Sequence, residues 1–165
     1  MSGPACGYCA AEDTAVVGAF LRKEEVTRKL PSDLRFLWSV KPNNGYFELI
    51  ATKVMHSDRM IRSEMIEKAE SVQGYSGMPE ISMQLNKKYH STWEKMTREN
   101  IGRSLAMVID GRVYSYPRVQ SEIREGRSSI SGNFELQETK ILAALLNSGP
   151  LPVPVTVTNI QYIQP

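Results

Sequence analysis

The stretch LAMVIDGRVYSYPRV, residues 105–119, sets two β-prone runs on either side of Asp110-Gly111. Asp-Gly in that setting signals a hairpin, because both turn residues must take positive φ. The spacing predicts a hairpin over 104–116, with Asp110 and Gly111 as its structural turn. Alternation along the second run sets Val113 and Ser115 on one face. Arg112, Tyr114 and Tyr116 fall on the other.

Working upstream, EISMQL (80–85) alternates Ile81, Met83 and Leu85 and reads as a strand. Asn86 is then the N-cap of a helix running to about Ile101, with Gly102 at its C-terminal stop. Tyr89, Trp93, Met96 and Ile101 form its apolar stripe, which reads as core. DRMIRSEMIEKAESV (58–72) reads as a further helix, followed by the turn-rich QGYSGMPE. Nearer the N-terminus, residues 12–29 read as a helix with Val16, Val17, Phe20, Leu21 and Val26 on its apolar side. DLRFLWSV (33–40) and YFELIATKV (46–54) then read as strands joined by the KPNNG turn.

Downstream of the hairpin, the pattern predicts a short strand at 129–131 and a helix at about 135–148. A closing strand follows in VPVTVTNIQYI (153–163). Leu145 and Leu146 join Trp93 as core residues. Hairpin-linked strands with interleaved helices indicate an α+β fold: mostly antiparallel sheets, helices packed on one face, two small lobes. The organisation read from this pattern is a flexible segment over 1–11, an α-β-β lobe over 12–57, and a second lobe over 58–165.

Composition narrows the function. The 20 basic and 18 acidic residues are intermixed and leave a net charge of +2. Nucleic-acid binding needs clustered Lys and Arg, so no nucleic-acid partner is expected. No apolar run approaches the ~20 residues that span a bilayer, and the N-terminus carries no signal-peptide pattern. The chain therefore reads either as cytosolic or as an excised piece of something larger.

Cys6 and Cys9 form a C-x-x-C without the preceding strand and helix start that a redox motif needs. His56 and His90 lie far from them in sequence, so no zinc spacing results and neither metal nor cofactor is expected. SSISGNF (128–134) lacks the Gly-x-Ser-x-Gly of a nucleophile elbow. Asp110 is explained by its turn, and Glu122 lies in a charged stretch. No catalytic residue emerges, and the chain reads as a non-enzyme.

TRENIGRSLAMVIDGRVYSYPRV (97–119) and EIREGRSSISGNFELQETKILAALLNSGPLPVPV (122–155) carry a set of spaced residues. These are Asn100-x-Gly102, Leu105-Ala106-x-Val108-x-Asp110-Gly111-x-Val113 and Ser115-x-Pro117. Ile130-x-Gly132-x-Phe134 and Gly149-x-Leu151-Pro152-x-Pro154-Val155 follow. In that order and spacing they resemble the large extracytoplasmic domain of the SecD/SecDF protein-export family, including its head subdomain. The N-terminal lobe resembles the version in fused SecDF proteins of the Bacteroidetes type.

The resemblance implies the extracytoplasmic (periplasmic) domain of an inner-membrane protein, an accessory subunit of the Sec translocase. Such a domain binds unfolded preprotein and assists its release. It meets the SecYEG translocon and a SecF-type partner through the intact protein, and the membrane only through flanking helices outside these residues. The intramembrane aspartate of the family has no counterpart here, and no match to its ferredoxin-like base segment is recognisable. Glu135 stands where the family usually has Thr, so Asn133 is expected to take over as helix N-cap.

The candidate partner-binding residues are Tyr114, Tyr116, Arg112 and Arg118, together with the loops at 73–79 and 124–128. The two tyrosines have a second reading, as cover for a sheet face under a helix. A different class of function, a stand-alone envelope interaction or structural domain using the same head fold, remains the alternative.

Overall fold

The computed structural model describes residues 4–54 and 60–149; His56 and the strand expected at 153–163 lie outside them. Among the described residues the strands form two sheets: one runs in the order Ala5–Ala10 (β1), Tyr46–Lys53 (β3), Leu34–Ser39 (β2), Arg112–Ser115 (β7) and Met107–Ile109 (β6), the other Ile66–Gln73 (β4), Pro79–Leu85 (β5) and Arg127–Ile130 (β8). The fold is α+β, with antiparallel pairings throughout except one.

In the larger sheet, β2 (Leu34–Ser39) and β3 (Tyr46–Lys53) form the expected hairpin. The hairpin at Asp110-Gly111 consists of β6 (Met107–Ile109) and β7 (Arg112–Ser115). β7 runs parallel to β2, aligning Trp38 with Arg112 and Ser39 with Val113. Val40 extends the join by donating its N–H to the Val113 carbonyl at 2.9 Å. The sheet therefore crosses the boundary that the sequence set at 57/58, and the hairpin is what carries it across.

Residues ahead of position 12 also differ from expectation. Ala5–Ala10 forms β1, which pairs antiparallel with β3 and places Tyr8 opposite Glu48. The helix expected at 12–29 breaks into α1 (Thr14–Leu21) and α2 (Glu24–Thr27). Val16 and Phe20, assigned to its apolar side, are exposed.

The smaller sheet contains the largest correction. Where the sequence predicted a helix at 58–72, Ser63–Met65 is a 3-10 turn and Ile66–Gln73 is strand β4. Its Glu, Lys and Ala favour helix only weakly, and pairing with β5 (Pro79–Leu85) from Ile66↔Leu85 to Gln73↔Pro79 overrides them. β8 (Arg127–Ile130) completes the sheet on the other side of β5. Ile81, Met83 and Leu85 of β5 are buried, as their alternation required.

Two helices cover that buried face. α3 (His90–Glu99) buries Trp93 and Met96 against Met83 and Leu85. Burial of the indole is compatible with its polar atom because Nε1–H donates to Ser128 Oγ at 2.9 Å. Asn86 makes no side-chain capping bond; a 3-10 turn at Lys87–Tyr89 starts the helix instead. Ile101, expected in the stripe, is exposed beyond the helix end.

α4 (Leu136–Ser148) buries Leu142 and Ala143 against Ala69, Ile81 and Phe134. Leu146 is half-buried there, whereas Leu145 points outward and is not core. Glu135, not Asn133, is the N-cap of α4, and its N–H donates to the Glu138 carboxylate at 2.7 Å. At the other end Asn147 accepts the Ala69 N–H at 2.8 Å and donates to the Ala69 carbonyl at 2.7 Å. Its amide stands in for a neighbouring strand at that point of the outer edge of β4.

Candidate functional site

Asp110 and Gly111 both take positive φ, 49° and 71°, as a type I′ turn demands. Val113 and Ser115 of β7 are buried, while Arg112, Tyr114 and Tyr116 lie on the more accessible side, as the alternation required. Accessible does not mean vacant. Tyr114 is half-buried against the cluster that holds Phe134, Leu142 and Ala143.

Tyr116 is half-buried and donates its hydroxyl to Glu48 Oε2 at 2.7 Å. Burial, then the Glu48 carboxylate, push the phenol pKa up to about 12. The contact continues inward through hydrogen bonds: the Glu48 N–H donates to Ser39 Oγ, which donates to the Lys41 carbonyl, each at 2.9 Å. Lys41 Nζ lies 2.7 Å from Glu138 of α4. Burial alone raises the Glu138 pKa, but the Glu135 N–H and Lys41 outweigh it and hold it below the ordinary range. A polar chain thus ties the hairpin, β3, β2 and α4 together across the two expected lobes.

The other expected contact residues are placed differently. Arg112 is exposed, with its guanidinium 6.0 Å from the Phe47 ring centre. Arg118 is exposed at the hairpin base, where its backbone bridges to Ser104. The 124–128 loop is tied down. Gln84 donates to the Glu125 carbonyl at 3.0 Å, and the Leu85 N–H donates to the Gly126 carbonyl at 2.9 Å. Beside it, Arg124 and Arg98 converge on Glu122, whose pKa falls below the ordinary range mainly through those hydrogen bonds.

The 73–79 loop is the opposite case. It closes on itself, with Gly74 N–H donating to the Met78 carbonyl at 2.9 Å and Gly77 at φ 79°. The Glu80 carboxylate packs over Gly74 and accepts a hydrogen bond from Ser129. With the turn held this way, Tyr75 is fully exposed, and Val72 and Met78 are exposed beside it. Residues 72–79 carry no charge. Ser71 and Thr139 share a hydrogen bond of 2.7 Å, so the start of α4 lies at this same end, where Leu136 is exposed. The sequence flagged the loop but not Leu136, which opens α4 seven residues before Ala143 and is exposed there.

Cys6 and Cys9 are free, three residues apart on β1. Three strand residues span roughly 10 Å, beyond the reach of about 7 Å between Cα atoms that a disulfide tolerates. Burial, then Asp13 and Glu12, raise the Cys9 pKa. Among the described residues no three His, Cys, Asp or Glu side chains are grouped to hold a metal ion. Among them, too, no helix is long and apolar enough to cross a membrane.

Residues 46–153 match the family model described as SecDF, P1 head subdomain. A SecD protein translocase subunit of Rhodothermus marinus is 33% identical over 170 residues, covering 99% of this chain and 27% of that protein. The SecDF subunit of Thermus thermophilus is 38% identical over 97 residues, 59% of this chain and 13% of that one. A solved structure of SecDF, described as a membrane component that enhances protein export, superimposes with a TM-score of 0.56 at 29% identity. It covers 91% of this chain and 62% of that one. The chain thus spans about a quarter of the Rhodothermus relative's length. It belongs to the SecD/SecDF protein-export family, as a chain that contains the P1 head subdomain.

Proposed function

We propose that this chain is the extracytoplasmic part of an accessory subunit of the Sec translocase, where it binds unfolded preprotein and assists its release. Its family membership over residues 46–153 carries the reading. The SecYEG translocon and a SecF-type partner are reached through the intact protein, and the chain acts by binding, without catalysis of its own. A binder of clients that vary in sequence needs apolar surface not committed to its own core. Tyr75, Met78, Val72 and Leu136 supply such surface, and Arg112 and Arg118 are exposed on the hairpin.

The test uses the intact subunit in membranes and a preprotein arrested during export, with photo-reactive residues along its emerging segment. Client binding requires adducts that map to the residues of this chain. Adducts confined to the translocon, at every position of the client, would overturn the reading.

A further inference from the structure

We propose that the outward face of α1, formed by Glu12, Ala15, Val16, Ala19, Phe20 and Lys23, docks antiparallel on the same face of a second copy of this chain. The contact has two-fold symmetry and is independent of the proposed client binding.

The sequence of α1, TAVVGAFL, carries no charge, and Thr14 is its one polar side chain. A helix apolar all round is ordinarily covered all round, yet only one side of α1 is. Gly18 is buried and brings the helix against β2, where a Cβ in its place would stand 3.7 Å from Trp38 Nε1. The opposite side faces outward. Val16 is 69% and Phe20 53% exposed, with Ala15 and Ala19 exposed between them. Lys23 continues that side beyond the helix end, its Nζ 5.6 Å from the centre of the Phe20 ring. At the other end Glu12 is exposed.

The order of these residues selects the occupant. Glu12 and Lys23 stand equally far from the middle of the helix; so do Ala15 and Phe20, and so do Val16 and Ala19. Laid antiparallel on itself about a two-fold axis, the face meets large with small and acid with base. Phe20 then covers Ala15 of the other copy, Val16 covers Ala19, and Glu12 lies beside Lys23, each twice. The opposed helix dipoles add to the match. A lipid surface lacks this fit, because residues 12–29 hold four acidic and four basic side chains and offer anionic headgroups no net attraction. The face supplies roughly 400 Å² per copy and about 800 Å² for the pair, short of the about 1,200 Å² of a stable dimer. The pairing is therefore weak and depends on concentration.

Sedimentation equilibrium of the 165-residue chain, run from about 10 µM to about 1 mM, reads the association. The expected result is a monomer–dimer equilibrium that F20S weakens at least about tenfold. E12K or K23E alone sets like charges together and weakens it about threefold or more, whereas E12K/K23E restores both opposite-charge pairs and recovers the unaltered value. Carbodiimide treatment of mixed light and isotope-labelled chains should join Glu12 of one copy to Lys23 of the other. A monomer at every concentration overturns the proposal, and a dimer indifferent to F20S overturns its placement on α1. Failure of E12K/K23E to recover association overturns the antiparallel arrangement. Binding to phosphatidylglycerol vesicles that F20S abolishes, with no dimer formed, overturns the occupant.

Discussion

The Tyr116 hydroxyl donates to Glu48 across 2.7 Å, joining the Asp110-Gly111 hairpin to a strand 68 residues earlier. The phenol is a fastener between two parts of one sheet. Tyr116→Phe removes the donor and leaves Glu48 without it, at a cost of about 1 kcal/mol for a half-buried bond to a carboxylate. Urea denaturation of the two proteins reads that difference.

The same bond predicts an alkaline signature. A raised folded-state pKa means the stabilisation is present below the free tyrosine value of 10 and is lost as pH rises towards about 12. Absorbance of tyrosinate against pH should show a late-titrating phenol. That late phase should be absent from Tyr116→Phe; if it persists there, another tyrosine is responsible.

Glu138 behaves in the opposite sense. Its carboxylate is held below the ordinary glutamate value of 4.5, so its contribution is present above that pH and lost as pH falls through the folded value. Lys41→Met should lower stability at pH 7 by a few tenths to about 1 kcal/mol and flatten the fall on the acid side. Equal acid slopes for the two proteins would show that the Lys41 contact contributes nothing.

Asn147 makes both of its backbone bonds to Ala69, and no apolar residue reproduces them. Asn147→Leu should cost about 2 kcal/mol, because a half-buried N–H and C=O lose their partners together. Hydrogen exchange at Ala69 should quicken in the variant, which places the damage on the edge of β4.

Oxidation of the chain should leave no bridge between Cys6 and Cys9 within one molecule, since β1 holds them too far apart. Mass spectrometry after mild oxidation and digestion checks this. An intact Cys6–Cys9 peptide pair from monomer would require that β1 come apart.

The parts legible from sequence were those governed by local chemistry. Asp110-Gly111 announced its turn, Ile81, Met83 and Leu85 announced a strand with one buried face, and Trp93 and Met96 announced a helix docked on it. The failures belong to long-range contact. Residues 66–73 look helical until β5 pairs with them, and Ala5–Ala10 look loose until β3 lies alongside. No local rule links Ser39 to Val113, so the parallel join between the expected lobes was invisible. Tyr116 reads from the sequence as a partner contact or as cover for a sheet face, and its hydrogen bond to Glu48 went unforeseen because Glu48 carried no local mark. Likewise the missing hydroxyl at 135 pointed to Asn133 as the cap, whereas the Glu138 carboxylate takes the Glu135 N–H and is itself held by Lys41, a partner distant in sequence. The loop at 73–79 was readable from its turn residues; that its tyrosine has no neighbour emerged only from packing.

On the proposed client-binding function, Tyr116 belongs to the structural surface and the exposed Tyr75 to the one offered to a client. The decisive measurement introduces a photo-reactive residue at position 75 or at position 116 of the intact subunit and captures a preprotein during export. The expected result is strong client adducts from position 75 and background from position 116, with protein stability lowered only by the change at 116. Strong adducts from 116 and none from 75 would contradict the account and return the contact surface to the hairpin.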